Sequence, residues 1–212
     1  MTAGMAALPA DLRLTYGFDP LCGWCYGIVP AMRALMAAQP GLPVNLAMPG
    51  LVTGARVGPY AAMEGYIRGA SQRLSAVTGR APSPAFYDLI RRPGVTGDSA
   101  PPVLVLAAAR AVDPAAAVRL AHRITEAHFD AGADLNDPAT YPPLLAAEGI
   151  AMALPDLADR AAAAAVFAAD ARFGIAAFPT LIARRGARAV ALPPVYAPDA
   201  LQAALRDAAA AL

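Results

Sequence analysis

The chain has 212 residues, a length that suits one core domain carrying a sizeable insertion. Hydrophobic residues make up 58% of it, much of this alanine, a composition that favours closely packed helices over a broad sheet. With 17 basic and 16 acidic residues the formal charge is +1. No basic cluster is interleaved with aromatics, which argues against nucleic-acid binding.

The apolar run from Ala161 to Ala169 is bounded by Arg160 and Asp170 and is shorter than the roughly 18 residues of a membrane span. Met1 to Asp11 lacks a basic start followed by a long apolar core, so no export signal is expected. With Met1 taken as the native start, a cytoplasmic protein is expected.

Leu12 to Phe18 alternates apolar with small or polar residues, predicting a short half-buried strand that Asp19-Pro20 ends. From Trp24 to Gln39 the residues Ile28, Met32, Leu35 and Met36 recur at helical spacing, and Gly41 closes that helix. Pro43 to Met48 reads as a second strand, completing a right-handed strand-helix-strand unit. From Gly58 to Gly174 the periodicity is helical throughout, in roughly six helices separated by Gly- and Pro-rich breaks. Strand character returns at 179–183 and 189–192 around a hairpin turn at Arg184 to Arg188, and a helix from Pro198 to Leu212 ends the chain. An all-helical module thus interrupts a small mixed sheet, so residues 1–57 with 175–212 form one domain and 58–174 an inserted one.

Two cysteines, Cys22 and Cys25, stand three positions apart at the strand-to-helix junction. A pair that close cannot staple a long loop. At a helix N-terminus the unpaired N–H groups and the dipole favour negative charge, and the thiolate is the nucleophile of disulfide chemistry. Cys22 is therefore the attacking sulfur, and Cys25, one turn inside, the shielded one that resolves the mixed disulfide. Gly23 exposes backbone N–H groups to the Cys22 sulfur, while Trp24 flanks a substrate or covers Cys25. A zinc site would need four ligands, and His122 and His128, the only histidines, are six residues apart, outside the usual spacer. Two unrelated buried cysteines are the other bland alternative.

Phe178-Pro179-Thr180 leads into a strand where a turn proline is the ordinary reading. A cis bond there would instead present the Phe178 backbone to an extended peptide beside the cysteines. Tyr60, Tyr66 and Phe86 fit core positions better than a peptide groove, with Tyr26 the candidate for substrate contact. His122 and His128 read as surface or capping residues, and Arg184-Arg185 as a solvated turn.

Asp19-Pro20-Leu21-Cys22-Gly23-Trp24-Cys25-Tyr26-Gly27, together with Gly174-Ile175-Ala176-Ala177-Phe178-Pro179-Thr180, resembles the DsbA-like branch of the thioredoxin superfamily, and within it the FrnE-like cytosolic proteins of protein-disulfide-isomerase type. The likeness extends to Asp98-Ser99-Ala100-Pro101-Pro102, Ala127-His128-Phe129 and Asp134-Leu135-Asn136-Asp137-Pro138. It implies an α/β thioredoxin fold with a large helical insertion, Cys22 as nucleophile, Cys25 as resolving cysteine and Pro179 as a cis proline facing them. Substrate contacts would fall to Gly23, Trp24, Tyr26, Phe178 and Pro179. No cofactor is implied beyond the pair's own disulfide, with glutathione a candidate electron partner and protein or peptide thiols and disulfides the clients.

Many members of that superfamily carry a buried acid six residues before the first cysteine, whereas this chain has Tyr16. The proton of Cys25 must then pass to water, to Asp19 or to a group of the insertion, although Asp19 has a sufficient explanation as a turn residue. Reduction or isomerisation is expected before net oxidation. The competing readings are a glutathione-dependent enzyme of the kappa-class transferase or 2-hydroxychromene-2-carboxylate isomerase kind, which use a single catalytic position, and a redox-inert binding module.

Overall fold

The computed structural model describes residues 8–212, so the first seven residues of the segment read for an export signal, and of the first domain, lie outside the described residues. In chain order, β1 (Arg13–Gly17) leads into α1 (Gly23–Ala38) and β2 (Val44–Ala47). A short β3 (Gly58–Pro59) precedes α2 (Glu64–Thr78) and α3 (Pro84–Arg91), and β4 (Thr96–Gly97) precedes α4 (Ala100–Val112) and α5 (Pro114–Ala131). Then follow α6 (Tyr141–Ala147), α7 (Arg160–Ala171), β5 (Thr180–Arg185), β6 (Arg188–Ala191) and α8 (Pro198–Ala210).

Four strands make a sheet in the order β2-β1-β5-β6. β1 runs parallel to β2 and antiparallel to β5, with Tyr16 opposite Leu46 on one side and Leu181 on the other. The fold is therefore a small mixed sheet flanked by helices, as the alternation of strand and helix predicted. The prediction of a half-buried first strand is corrected: β1 lies between two neighbours, and even its polar Thr15 is buried. Leu12, Leu14, Tyr16 and Phe18 project at period two into one apolar core. That core also takes Met32 and Leu35 of α1, Val103 and Leu106 of α4, Leu120 and Ile124 of α5, and Leu201 and Leu205 of α8.

Three further expectations are corrected. The middle of the chain is not helical throughout, because β3 and β4 pair antiparallel, a two-residue ladder too short to leave a period. Arg184 and Arg185 lie in β5, where the first bonds the Thr15 hydroxyl and the second Asp11, and the turn itself is only Gly186-Ala187. His122 and His128 are buried, because α5 packs against α1, α3, α4, α6 and β2 and has little solvent face left. His128 Nδ1–H donates to the Ala133 carbonyl at 2.9 Å and its Nε2 accepts from the Tyr60 hydroxyl at 3.1 Å. Among the described residues, the Tyr16 hydroxyl and both His122 nitrogens are buried without a hydrogen-bond partner.

Burial holds both histidines neutral, pushing His122 from 6.5 down to about 3 and His128 to about 4. A depressed histidine favours the fold fully above 6.5, where the unfolded chain is also neutral, and that contribution is lost as pH falls below 6.5 and the unfolded state takes up protons. Asp19 acts oppositely, since burial raises it from 3.8 to about 6 and the fold loses its contribution as pH rises through that window. Two histidines against one carboxylate leave a net loss of stability on acidification from pH 6.5 towards 4. Urea unfolding at pH 7 and pH 5 is expected to show it, and His122→Phe should flatten the dependence by up to about 1.4 kcal/mol per pH unit. An unchanged slope in that variant would mean that His122 is not held neutral by the fold.

Candidate functional site

The site is built where β1 runs out. Asp19 to Cys22 forms a turn closed by Cys22 N–H donating to the Asp19 carbonyl at 3.1 Å, and the Thr125 hydroxyl of α5 donates to the Pro20 carbonyl at 3.0 Å. Cys22 is thereby the N-cap residue of α1, and its carbonyl accepts the first helical bond, from Tyr26 N–H. The two sulfurs are free and unequal. Cys22 is 6% exposed and lines a cleft of about 740 Å³, whereas Cys25 is 0% exposed beneath it. Burial, and then a hydrogen bond to the Cys22 sulfur, push the Cys25 thiol well above its ordinary value, while the Asp19 backbone N–H facing its sulfur works the other way.

Opposite Cys22 stands the chain leading into β5. The Phe178–Pro179 bond is cis, and the Phe178 carbonyl accepts from the Cys22 thiol at 3.5 Å. The structure thus brings Cys22, Gly23, Trp24 and Phe178 together on one cleft, with Cys25 below and Pro179 adjacent in the chain. Tyr26 is not brought there. It is buried, packs against the Phe129 ring, lies 3.7 Å beneath the Arg80 guanidinium and donates its hydroxyl to Asp130, all on the side of the helical insertion. Tyr60 and Phe86 are core residues that reach the cleft floor, and Tyr66 is exposed at 69% on its rim.

Several contributors escaped the sequence reading. Tyr196, from the proline-rich segment before α8, packs its ring tilted against Trp24 at 5.4 Å between centroids and lies close enough to both cysteines for their charge to help burial raise it to about 12. The only signal for it was a lone aromatic among prolines. Among the described residues, Arg56 is the only charged side chain lining the cleft. Gly27 lets α2 approach, for a Cβ there would stand 2.7 Å from Leu74 and 2.9 Å from Thr78.

Arg80 answers a gap in α1. Pro30 lies inside that helix and has no N–H for the carbonyl of Tyr26 four residues earlier. Arg80 Nη1 donates to that carbonyl at 2.9 Å, while its other nitrogen pairs with Asp130 at 3.2 Å. One side chain from the insertion so completes the backbone bonding of the helix that carries both cysteines.

No family model matches the chain, and no curated protein matches it in sequence to significance. Solved structures do match. The cytosolic disulfide reductase DsbM from Pseudomonas aeruginosa is 29% identical, with a TM-score of 0.79 over 94% of this chain and 100% of that one. Its structure with GSH is 30% identical over 92% of this chain and 98% of that one, with a TM-score of 0.75. A Nitrosomonas europaea protein described as a candidate protein disulfide isomerase is 20% identical, with a TM-score of 0.75 over 93% and 97% of the two chains, a likeness of fold alone.

Removing Arg80 leaves the Tyr26 carbonyl without its donor, so Arg80→Ala is expected to cost about 1–3 kcal/mol in urea unfolding. In a Pro30→Ala background the helix regains its own N–H at that point, and the same substitution should cost at least about 1 kcal/mol less. Equal costs in the two backgrounds would show that Arg80 does not fill the gap left by Pro30.

Proposed function

We propose that this chain, which belongs to the DsbA-like branch of the thioredoxin superfamily and is a thiol-disulfide oxidoreductase, works through Cys22 and Cys25 and reduces or rearranges disulfides of protein and peptide clients. The observation that carries the assignment of roles is the inequality of the two sulfurs, one in the cleft at a helix N-terminus and one sealed beneath it. The Cys22 thiolate attacks one sulfur of a client disulfide, forming a mixed disulfide and expelling the other client sulfur as a thiolate, which takes a proton. Cys25 then gives up its proton and attacks the Cys22 sulfur. A Cys22–Cys25 disulfide forms, the second client thiolate leaves, and the client has gained two electrons from the pair.

Gly23, Trp24 and Phe178 are the client contacts of this reading, with Pro179 beside them and Tyr26 holding α1 from behind. Residues 1–57 with 175–212 act as the thioredoxin-like unit and 58–174 as the insertion. Restoring the dithiol takes two electrons from an external thiol, and glutathione is the donor we favour. What supports it is the GSH complex of DsbM together with Arg56, a cation in a cleft otherwise lined, among the described residues, by uncharged side chains, where a carboxylate-bearing thiol would bind. A cytosolic setting fits the name of DsbM and a reducing role. Among the described residues no helix is long and apolar enough to cross a membrane.

Insulin reduction supplied with glutathione tests this reading. Cys22→Ala is expected to abolish it, and Cys25→Ala to lose turnover while accumulating a dithiothreitol-sensitive adduct of client on Cys22. Full turnover by Cys25→Ala would sink the two-cysteine mechanism in favour of a single-cysteine glutathione enzyme. A second measurement addresses the donor: Arg56→Met should raise KM for glutathione several-fold and leave kcat within about twofold, as lost uniform binding does. An unchanged KM would remove Arg56 from the donor site.

A further inference from the structure

Resolution of the mixed disulfide requires a group that takes the Cys25 proton, and Tyr16 of β1, held as a neutral phenol by burial, is not one. We propose that the Asp19 carboxylate is that group, relocated from β1 to the turn in front of α1. This inference rests on the two-cysteine reading above.

Asp19 is 0% exposed, as is Cys25, and its own backbone N–H faces the Cys25 sulfur. Its carboxylate lies under the cleft, where Oδ1 accepts from Leu21 N–H at 3.0 Å and Oδ2 from Leu51 N–H at 2.7 Å, and both leucines line that cleft. The loop carrying Leu51 is fixed in turn, because Val52 N–H donates to the Ser99 hydroxyl at 2.9 Å and Ser99 N–H to the Val52 carbonyl at 3.0 Å. The Ser99 hydroxyl also bonds the carboxylate, and Arg56, Tyr60 and Cys25 lie near enough to exchange charge effects with it. No salt bridge neutralises Asp19 among the described residues. A turn residue needs none of this burial, so the turn explanation leaves it unaccounted for.

The other candidates behind Cys25 are poor acceptors. Tyr16 is held as a neutral phenol by burial, and burial keeps His122 at about 3, so neither takes up a proton near pH 7. Asp19, raised by burial to about 6, is a carboxylate at that pH and can still hold a proton transiently. In the step, the Cys25 S–H bond breaks and its proton passes to an Asp19 oxygen, directly or through one water. The freed electron pair forms the bond to the Cys22 sulfur, the bond between Cys22 and the client sulfur breaks, and Asp19 returns the proton to the departing thiolate or to solvent.

The test uses the reduced full-length protein and an aromatic disulfide that releases a coloured thiolate, followed by stopped flow. Attack by Cys22 gives a first equivalent of colour and resolution by Cys25 a second. In the wild type the second phase is expected to show an acid limb, level with pH above about 6 and falling below it as Asp19 takes up its proton. In Asp19→Asn the bend near 6 should be lost, leaving a rate that climbs steadily with pH, and the second phase at pH 7 should slow at least about 10-fold relative to the first. A second phase in Asp19→Asn with the wild-type rate and pH profile would overturn the assignment. Should Asp19→Asn fail to fold, absence of the limb from the wild-type second phase overturns it equally. Absence of any second phase in the wild type would instead overturn the two-cysteine reading on which it rests.

Discussion

The start of α1 at Gly23 is the constraint on which the remaining geometry depends, because it puts Cys22 at the cap and Cys25 one turn inside. Three unrelated stretches of chain hold that start. The Asp19 turn closes onto Cys22 N–H, Thr125 of α5 grips the Pro20 carbonyl, and Arg80 bonds the Tyr26 carbonyl that Pro30 leaves open. Were α1 to begin one residue later, Cys22 would leave the helix terminus and the two sulfurs would no longer differ as they do.

The helical insertion is thus more than a cover. It contributes Arg80 and Phe129 behind α1, and Tyr60, Tyr66 and Ile67 to the cleft, while the loop after β2 contributes Leu51, Val52 and Arg56. Its helices α4 and α5 share the main apolar core with the sheet. Apolar burial therefore joins the insertion to the sheet, and polar contacts at a few points align it on α1. In that arrangement a client would meet an apolar cleft whose chemistry is concentrated at the Cys22 sulfur, the Phe178 carbonyl and one arginine.

What could be read in the sequence was local. Period-two alternation located β1, short runs bounded by Pro and Gly located β2, β5 and β6 to within a residue or two, helical spacing located α1, and Cys22-x-x-Cys25 at the β1–α1 junction pointed to thiol chemistry. What could not be read depends on neighbours distant in the chain. The burial of His122 and His128 follows from how many elements surround α5, and the direction of Tyr26 from Arg80 and Asp130, more than 50 residues away. Asp19 looked like an ordinary turn residue because its second partner, Leu51, comes from the loop after β2. Tyr196 and Arg56 carry no motif, and only the folding of their loops against the cleft gives them a place.

The central claim is that the two sulfurs are chemically unequal. Brief alkylation of the fully reduced native protein with iodoacetamide near pH 7, quenched in acid and mapped by peptide mass spectrometry, measures this directly. Cys22 is expected to be modified, with Cys25 essentially unlabelled until the protein is unfolded. Equal labelling of the two, or faster labelling of Cys25, would contradict it.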